Sequence, residues 1–174
     1  MASVKPFRAL RPKTELAGDI CELPYDVLSS SEAKVAIEGR PHSFFHVSKP
    51  EVDLVEGINP YDEAVYAKGR ENFDRLIEEG YLKQEEKPCY YLYRQVMGQH
   101  AQIGLVAVAS CQEYDDGIVK KHEFTRPDKE NDRVKHMEAL DAQTGPVFLT
   151  YPANVSLDGL FAEITNAEPE IDFV

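Results

Sequence analysis

Chemistry-bearing side chains concentrate in Gly117-Ile118-Val119-Lys120-Lys121-His122-Glu123-Phe124-Thr125-Arg126-Pro127-Asp128-Lys129-Glu130-Asn131-Asp132-Arg133. Five basic and four acidic side chains and one imidazole fall there, in a chain of net charge -12. The order is two lysines, a His-Glu pair, a hydroxyl and an arginine, then an Asp-Arg pair in what reads as the start of a helix. Arginine offers phosphate or carboxylate a planar fork of donors, and lysine offers the same ligands a point charge. A helix start adds unsatisfied backbone N–H groups that favour anions. The stretch reads equally as an anion-handling loop and as a salt-bridged, solvated connection.

The rest of the composition narrows the classes. Acidic side chains outnumber basic ones 31 to 19 in 174 residues, which disfavours a nucleic-acid or anionic-membrane partner, since both need a basic footprint. Cys21, Cys89 and Cys111 are odd in number and far apart, so they suggest reduced thiols and no disulfide framework. No apolar run is long enough to span a bilayer and the start has no signal-peptide core, so a cytoplasmic protein is expected. The five histidines give poor support to a zinc hydrolase, and no metal site is expected. There is no GxSxG elbow and no signature around any cysteine to suggest a hydrolase nucleophile.

The elements that must position this stretch can be read in order, and the length suits one domain with a real core. Ser29 and Glu32 stand in capping-box spacing, with Gly39 as the stop, which predicts a short helix over Ser30 to Glu38. Ser43-Phe44-Phe45-His46-Val47 predicts a buried strand, in which His46 reads as an imidazole satisfied by a backbone carbonyl in preference to a ligand. Asn59 and Pro60 predict the start of a long helix to about Glu79, its inner stripe formed by Val65, Gly69, Phe73 and Ile77 with Tyr66 and Leu76. Cys89 to Met97 and Ala101 to Ser110 predict a hairpin whose second strand is central. Asp128 is the expected cap of the next helix, which carries Val134, Met137 and Leu140 inward and stops near Gly145. Pro146 to Tyr151 reads as a buried strand, Ser156 to Ala167 as an amphipathic helix, and Ile171 to Val174 as a strand that stops in mid-pattern. The expected fold is an α+β domain, residues 1–174, with a mixed β-sheet flanked by helices and a truncated C-terminus.

The segments VKPFRALRP, LPYDVLS, SFFHVSKPEVDL, NFDRLIEEG, YYLYRQ and GIVKKHEFTRPDKENDR through GPVFLTY, in matching order from about Val4 to Tyr151, resemble the bacterial and archaeal family of unknown function DUF1015. Members are longer, and their second part carries an Asp-Gly-His-His-Arg signature similar to the ParB and sulfiredoxin-like nucleotide-handling fold. That signature is absent here, so the resemblance implies the N-terminal portion of such a protein, in an incomplete ParB-like arrangement.

Because ParB-like relatives include free-serine kinases, the resemblance implies, at second hand, phosphoryl transfer from a nucleotide (ATP or ADP with Mg2+) to a small hydroxyl substrate, with the isolated chain inactive. Phosphoryl transfer needs cations on the phosphates and an orienting carboxylate. Under this reading Lys120, Lys121, Arg126 and Arg133 serve the anion and Thr125 holds a phosphate oxygen. Glu123 is the base or metal carboxylate, His122 its neighbour and Asp132 a second carboxylate. Tyr25 and Asp26 reach the same site, unless Asp26 merely closes its own turn. Arg133, His136 and Asp132 share a helix face and equally suit an intrahelical ion pair. Two other readings compete: a non-catalytic module binding a small anionic metabolite or nucleotide, and a structural or interaction domain. Substrate and oligomeric state are not legible in the sequence.

Overall fold

In the computed structural model, the residues described are 2–122 and 124–173; Glu123, the expected catalytic base, lies outside them. The protein is of the α+β class and divides into two compact units. One comprises Met1–Arg11, Gln84–Phe124 and Leu149–Asp172; the other comprises Pro12–Lys83, Thr125–Phe148 and Phe173–Val174.

In the first unit, β1 (Val4–Lys5) pairs antiparallel with β6 (Val108–Ala109). β4 (Tyr91–Met97) pairs antiparallel with β5 (His100–Val106), from Met97 opposite His100 to Tyr91 opposite Val106. Gly98, at φ 60°, turns the chain in the two residues between them. The helices of this unit are α5 (Cys111–Asp115) and α7 (Val155–Ile164), capped by Ser110 and Asn154.

Two short strands, β2 (Leu10–Pro12) and β3 (Leu82–Gln84), fall where the chain passes from one unit to the other and back. The second unit is helical: α1 (Ala17–Ile20), α2 (Ser30–Ala36), α3 (Phe45–Ser48), a 3-10 turn (Pro50–Asp53), α4 (Glu63–Glu78) and α6 (Pro127–Leu140). Ser29 closes the expected capping box: its hydroxyl accepts from the Glu32 N–H while the Glu32 carboxylate accepts from the Ser29 N–H at 2.9 Å. Ala33, Phe45 and Val52 form a buried cluster. α4 lies across α3 and the 3-10 turn and also packs on α6. Gly69 permits the closest approach, because a Cβ there would stand 2.8 Å from Pro50 Cγ and 3.3 Å from the Val47 carbonyl.

Several expectations are corrected. Among the described residues the strands form two-stranded pairs, and no mixed sheet joins them. The predicted strand Ser43–Val47 contains one helical turn, started by the Ser43 hydroxyl accepting from the Phe45 N–H at 3.2 Å. Its apolar run does bury Phe45 and Val47, but both sit within a helical turn and not in a strand. Pro146–Tyr151 is not a strand, and Val147 and Phe148 are each 75% exposed. β5 is not central: its only strand partner among the described residues is β4, and most of it is exposed. Residues 171–173 are not in a strand. α4 starts at Glu63, capped by Asp62, while the Asn59 side chain accepts from the Tyr61 N–H in a preceding turn. α6 has Arg126 at its cap and Pro127 in its first turn, and it ends at Asp141, at φ 49°, ahead of Gly145. Its buried face is Asp132, His136 and Leu140, with Val134 turned outward; a polar pair took the inner phase that apolar periodicity assigned to Val134 and Met137.

Candidate functional site

α6 places Lys129, Asp132, Arg133 and His136 three or four residues apart, hence along one face. Asp132 is only 7% exposed and both its oxygens are engaged. One accepts the Tyr66 hydroxyl proton at 2.9 Å; the other accepts from Arg133 through Nη2 at 2.7 Å and Nε at 3.1 Å. This resolves the price of burying a carboxylate, which needs both a counter-charge and satisfied lone pairs. Burial, reinforced by the hydrogen bond to Asp132, pushes the Tyr66 phenol well above its ordinary range, so it stays a proton donor.

The guanidinium of Arg133 stacks on the Tyr25 ring, its central carbon 3.8 Å from the ring centroid. One turn earlier, Lys129 donates to the Tyr61 hydroxyl at 3.0 Å. That hydrogen bond, aided by the Tyr25 and Asp132 charges, raises the Lys129 ammonium above its usual value against a small burial cost. One turn later, His136 is 2% exposed and its Nε2 donates to the Val47 carbonyl at 2.8 Å. Burial is the main cause of its lowered pKa, and nearby Arg133 adds to it. His136 is therefore a neutral core imidazole rather than a member of the expected intrahelical ion pair, and Asp132 pairs with Arg133 instead. The arrangement holds two cations on fixed stems beside aromatic rings, with one carboxylate neutralising part of their charge.

Of the residues singled out in the sequence, the structure brings together Tyr25, Asp132 and Arg133. Asp26 is exposed and makes no side-chain hydrogen bond among the described residues; the turn is closed by the Val27 N–H on the Pro24 carbonyl at 3.0 Å. Arg126 is 74% exposed and pairs with Asp128 at 2.8 Å, which holds that carboxyl below its usual range. Thr125 donates to Glu130. Lys120, Lys121 and His122 are exposed in the first unit, where the Lys121 ammonium stands 4.5 Å over the Tyr114 ring.

Sequence reading gave Lys129, Tyr61 and Tyr66 no role in the site. The available signal was the spacing of Lys129 four residues before Arg133. It also passed over the four-residue spacing of His42 and His46, which suits a metal pair on a helix. The structure separates their roles: His42 packs on the Tyr81 ring at 4.0 Å between centroids. His46 Nδ1 faces both Asp53 oxygens at 2.9 Å, and its Nε2 faces the Arg40 carbonyl at 3.2 Å. Asn72 completes that knot by donating to Asp53 at 2.8 Å and to the His46 carbonyl at 2.7 Å. Burial works to raise the Asp53 pKa, but the bonds from His46 and Asn72 prevail and hold it below the ordinary range. Among the described residues no three His, Cys, Asp or Glu side chains stand close enough to hold a metal ion, and no helix is long and apolar enough to cross a membrane.

A model of the family described as "Protein of unknown function (DUF1015)" matches residues 4–174, and the chain belongs to that family. No curated protein and no solved structure matches it.

Proposed function

We propose, from that membership and from the α6 cluster, that this protein binds a small anionic metabolite, a phosphate or carboxylate compound, at Lys129 and Arg133. One observation carries the reading: two cations one helical turn apart are each braced by a tyrosine, Lys129 through the Tyr61 hydroxyl and Arg133 by the Tyr25 ring. Bracing removes rotamer entropy before a ligand arrives, so less is lost on binding. Each cation keeps donors to spare: the ammonium gives one of three to Tyr61, and the guanidinium gives two of five to Asp132. With one carboxylate against two cations the cluster is net positive, in a chain that is otherwise strongly acidic.

A second reading makes this chain part of a nucleotide-dependent small-molecule kinase with ParB-like phosphate handling. It is favoured by Lys120 and Lys121, both exposed and without a carboxylate at ion-pair distance among the described residues. Asp132 is ill suited to be its base, because both oxygens are already engaged.

Thermal melts with inorganic phosphate, a dicarboxylate and ADP with Mg2+ test both readings. At a hundred times the dissociation constant a ligand adds about 2.7 kcal/mol of stability, or roughly 5–10 °C for a chain of this size. The binding reading expects a shift that Arg133→Ala and Lys129→Ala each abolish, with no turnover of ATP in the presence of serine. Shifts unchanged in both variants, or no shift with any anion, sink it.

A further inference from the structure

We propose that β5 is a self-pairing edge, through which two copies of this chain join β5 to β5 antiparallel about a two-fold axis at Ile103. β5 has one strand partner, β4, among the described residues, and its other edge has none. Open edges in soluble proteins are ordinarily blocked by charge, proline or a bulge. His100-Ala101-Gln102-Ile103-Gly104-Leu105-Val106 has no proline and no Lys, Arg, Asp or Glu, in a chain where charged residues make up 29%. Its register with β4 runs without a bulge from end to end.

The register also fixes which backbone groups face outward. A two-residue turn closes on a hydrogen-bonded pair, here Met97 with His100, and pairs then alternate along an antiparallel ladder. Gln102, Gly104 and Val106 therefore spend their N–H and C=O on β4. Ala101, Ile103 and Leu105 point theirs away from it. A second β5 turned about Ile103 sets Ile103 against Ile103 and Ala101 against Leu105 twice, so the three outward residues of each copy meet the three of the other with every donor on an acceptor. The side chains that meet are aliphatic, and Ile103 is 37% exposed.

Charge selects this occupant over a basic or acidic partner strand. The one charge on the hairpin, Arg94, stands opposite Ile103 on β4, so the two Arg94 of a dimer are three strand spacings apart, about 14 Å. That exceeds the screening length of about 8 Å at physiological salt. Two molecules of net charge -12 can approach at a strip that carries none of that charge.

Sedimentation equilibrium of the whole chain from low to high micromolar concentration, with amide exchange at both ends of that range, tests the proposal. The expected result is a monomer–dimer equilibrium, with the amides of Ala101, Ile103 and Leu105 slowing at high concentration while those of Gln102 and Gly104 are slow throughout. Ile103→Pro removes an outward N–H without touching the β4 ladder and weakens association at least 100-fold. Ile103→Lys, which sets two like charges face to face at the axis, does the same and decides the matter should the proline variant fail to fold. A single monomeric mass at every concentration overturns the proposal, as does a dimer that survives both substitutions.

Discussion

Replacing Asp132 by Ala removes the acceptor on which two side chains of different elements converge. Tyr66 on α4 loses the partner for a hydroxyl held at 2.9 Å in a residue only 4% exposed. An orphaned buried hydroxyl costs about 1–3 kcal/mol. Arg133 loses both its bonds to the carboxylate, but its side chain is 27% exposed, so water recovers part of that loss. The full penalty for breaking a buried ion pair, about 3–5 kcal/mol, is therefore an upper bound, and a total near 3 kcal/mol is expected. For a chain of this length that lowers Tm by roughly 6–12 °C. Tyr66→Phe leaves the Asp132–Arg133 pair intact and should cost only about 1 kcal/mol. Because both changes remove the same hydrogen bond, the double variant should fall short of the sum by about 1 kcal/mol. Guanidinium melts of the four proteins measure the cycle. An Asp132→Ala loss below about 0.5 kcal/mol, or strict additivity, would refute the claim that Asp132 ties α4 to α6.

His136 is neutral in the fold with its pKa lowered by burial, so below 6.5 the unfolded chain takes up a proton that the folded chain resists. Stability should be fully present above pH 6.5 and fall as pH drops from there toward the folded value; in His136→Gln, melts at pH 7.5 and 5.5 should differ less than in the parent. Gly69→Ala gains about 1 kcal/mol of helix propensity, yet it drives a methyl to 2.8 Å from the Pro50 ring. Overpacking of this kind costs about 1–3 kcal/mol, so a net loss is expected in urea titration, and a stabilised variant would show that α4 is free to move off the 3-10 turn. Ser29→Ala deletes one half of the capping box and should cost about 1 kcal/mol, while Ser29→Asn should restore most of it.

Local rules that act within a few residues were legible in the sequence. The Ser29 capping box and the stripe of Val65, Gly69, Phe73 and Ile77 depend on spacing alone; the box is present and the stripe is buried as far as Phe73, while Ile77 is exposed. The family was legible in the order of six segments, and its model matches the chain. What failed were inferences from apolar content to a sheet. The run around Phe45 is buried, but a serine hydroxyl at its start satisfies a backbone N–H and so favours a helical turn. The runs at Pro146–Tyr151 and β5 are apolar yet exposed, because pairing depends on a partner strand that no local pattern specifies. The same limit governs the site. Tyr25 and Arg133 were legible as candidates, but their stacking joins residues more than a hundred positions apart, and the Arg126 charge and the Thr125 hydroxyl nearby were already spent on Asp128 and Glu130. A charged stretch thus announces where chemistry could be. Which of its cations keep donors for a ligand depends on the carboxylates that reach them in the folded chain: Arg126 is paired at the surface, and Lys129 and Arg133 are held by tyrosines brought from α4's approach and from the Pro24 turn.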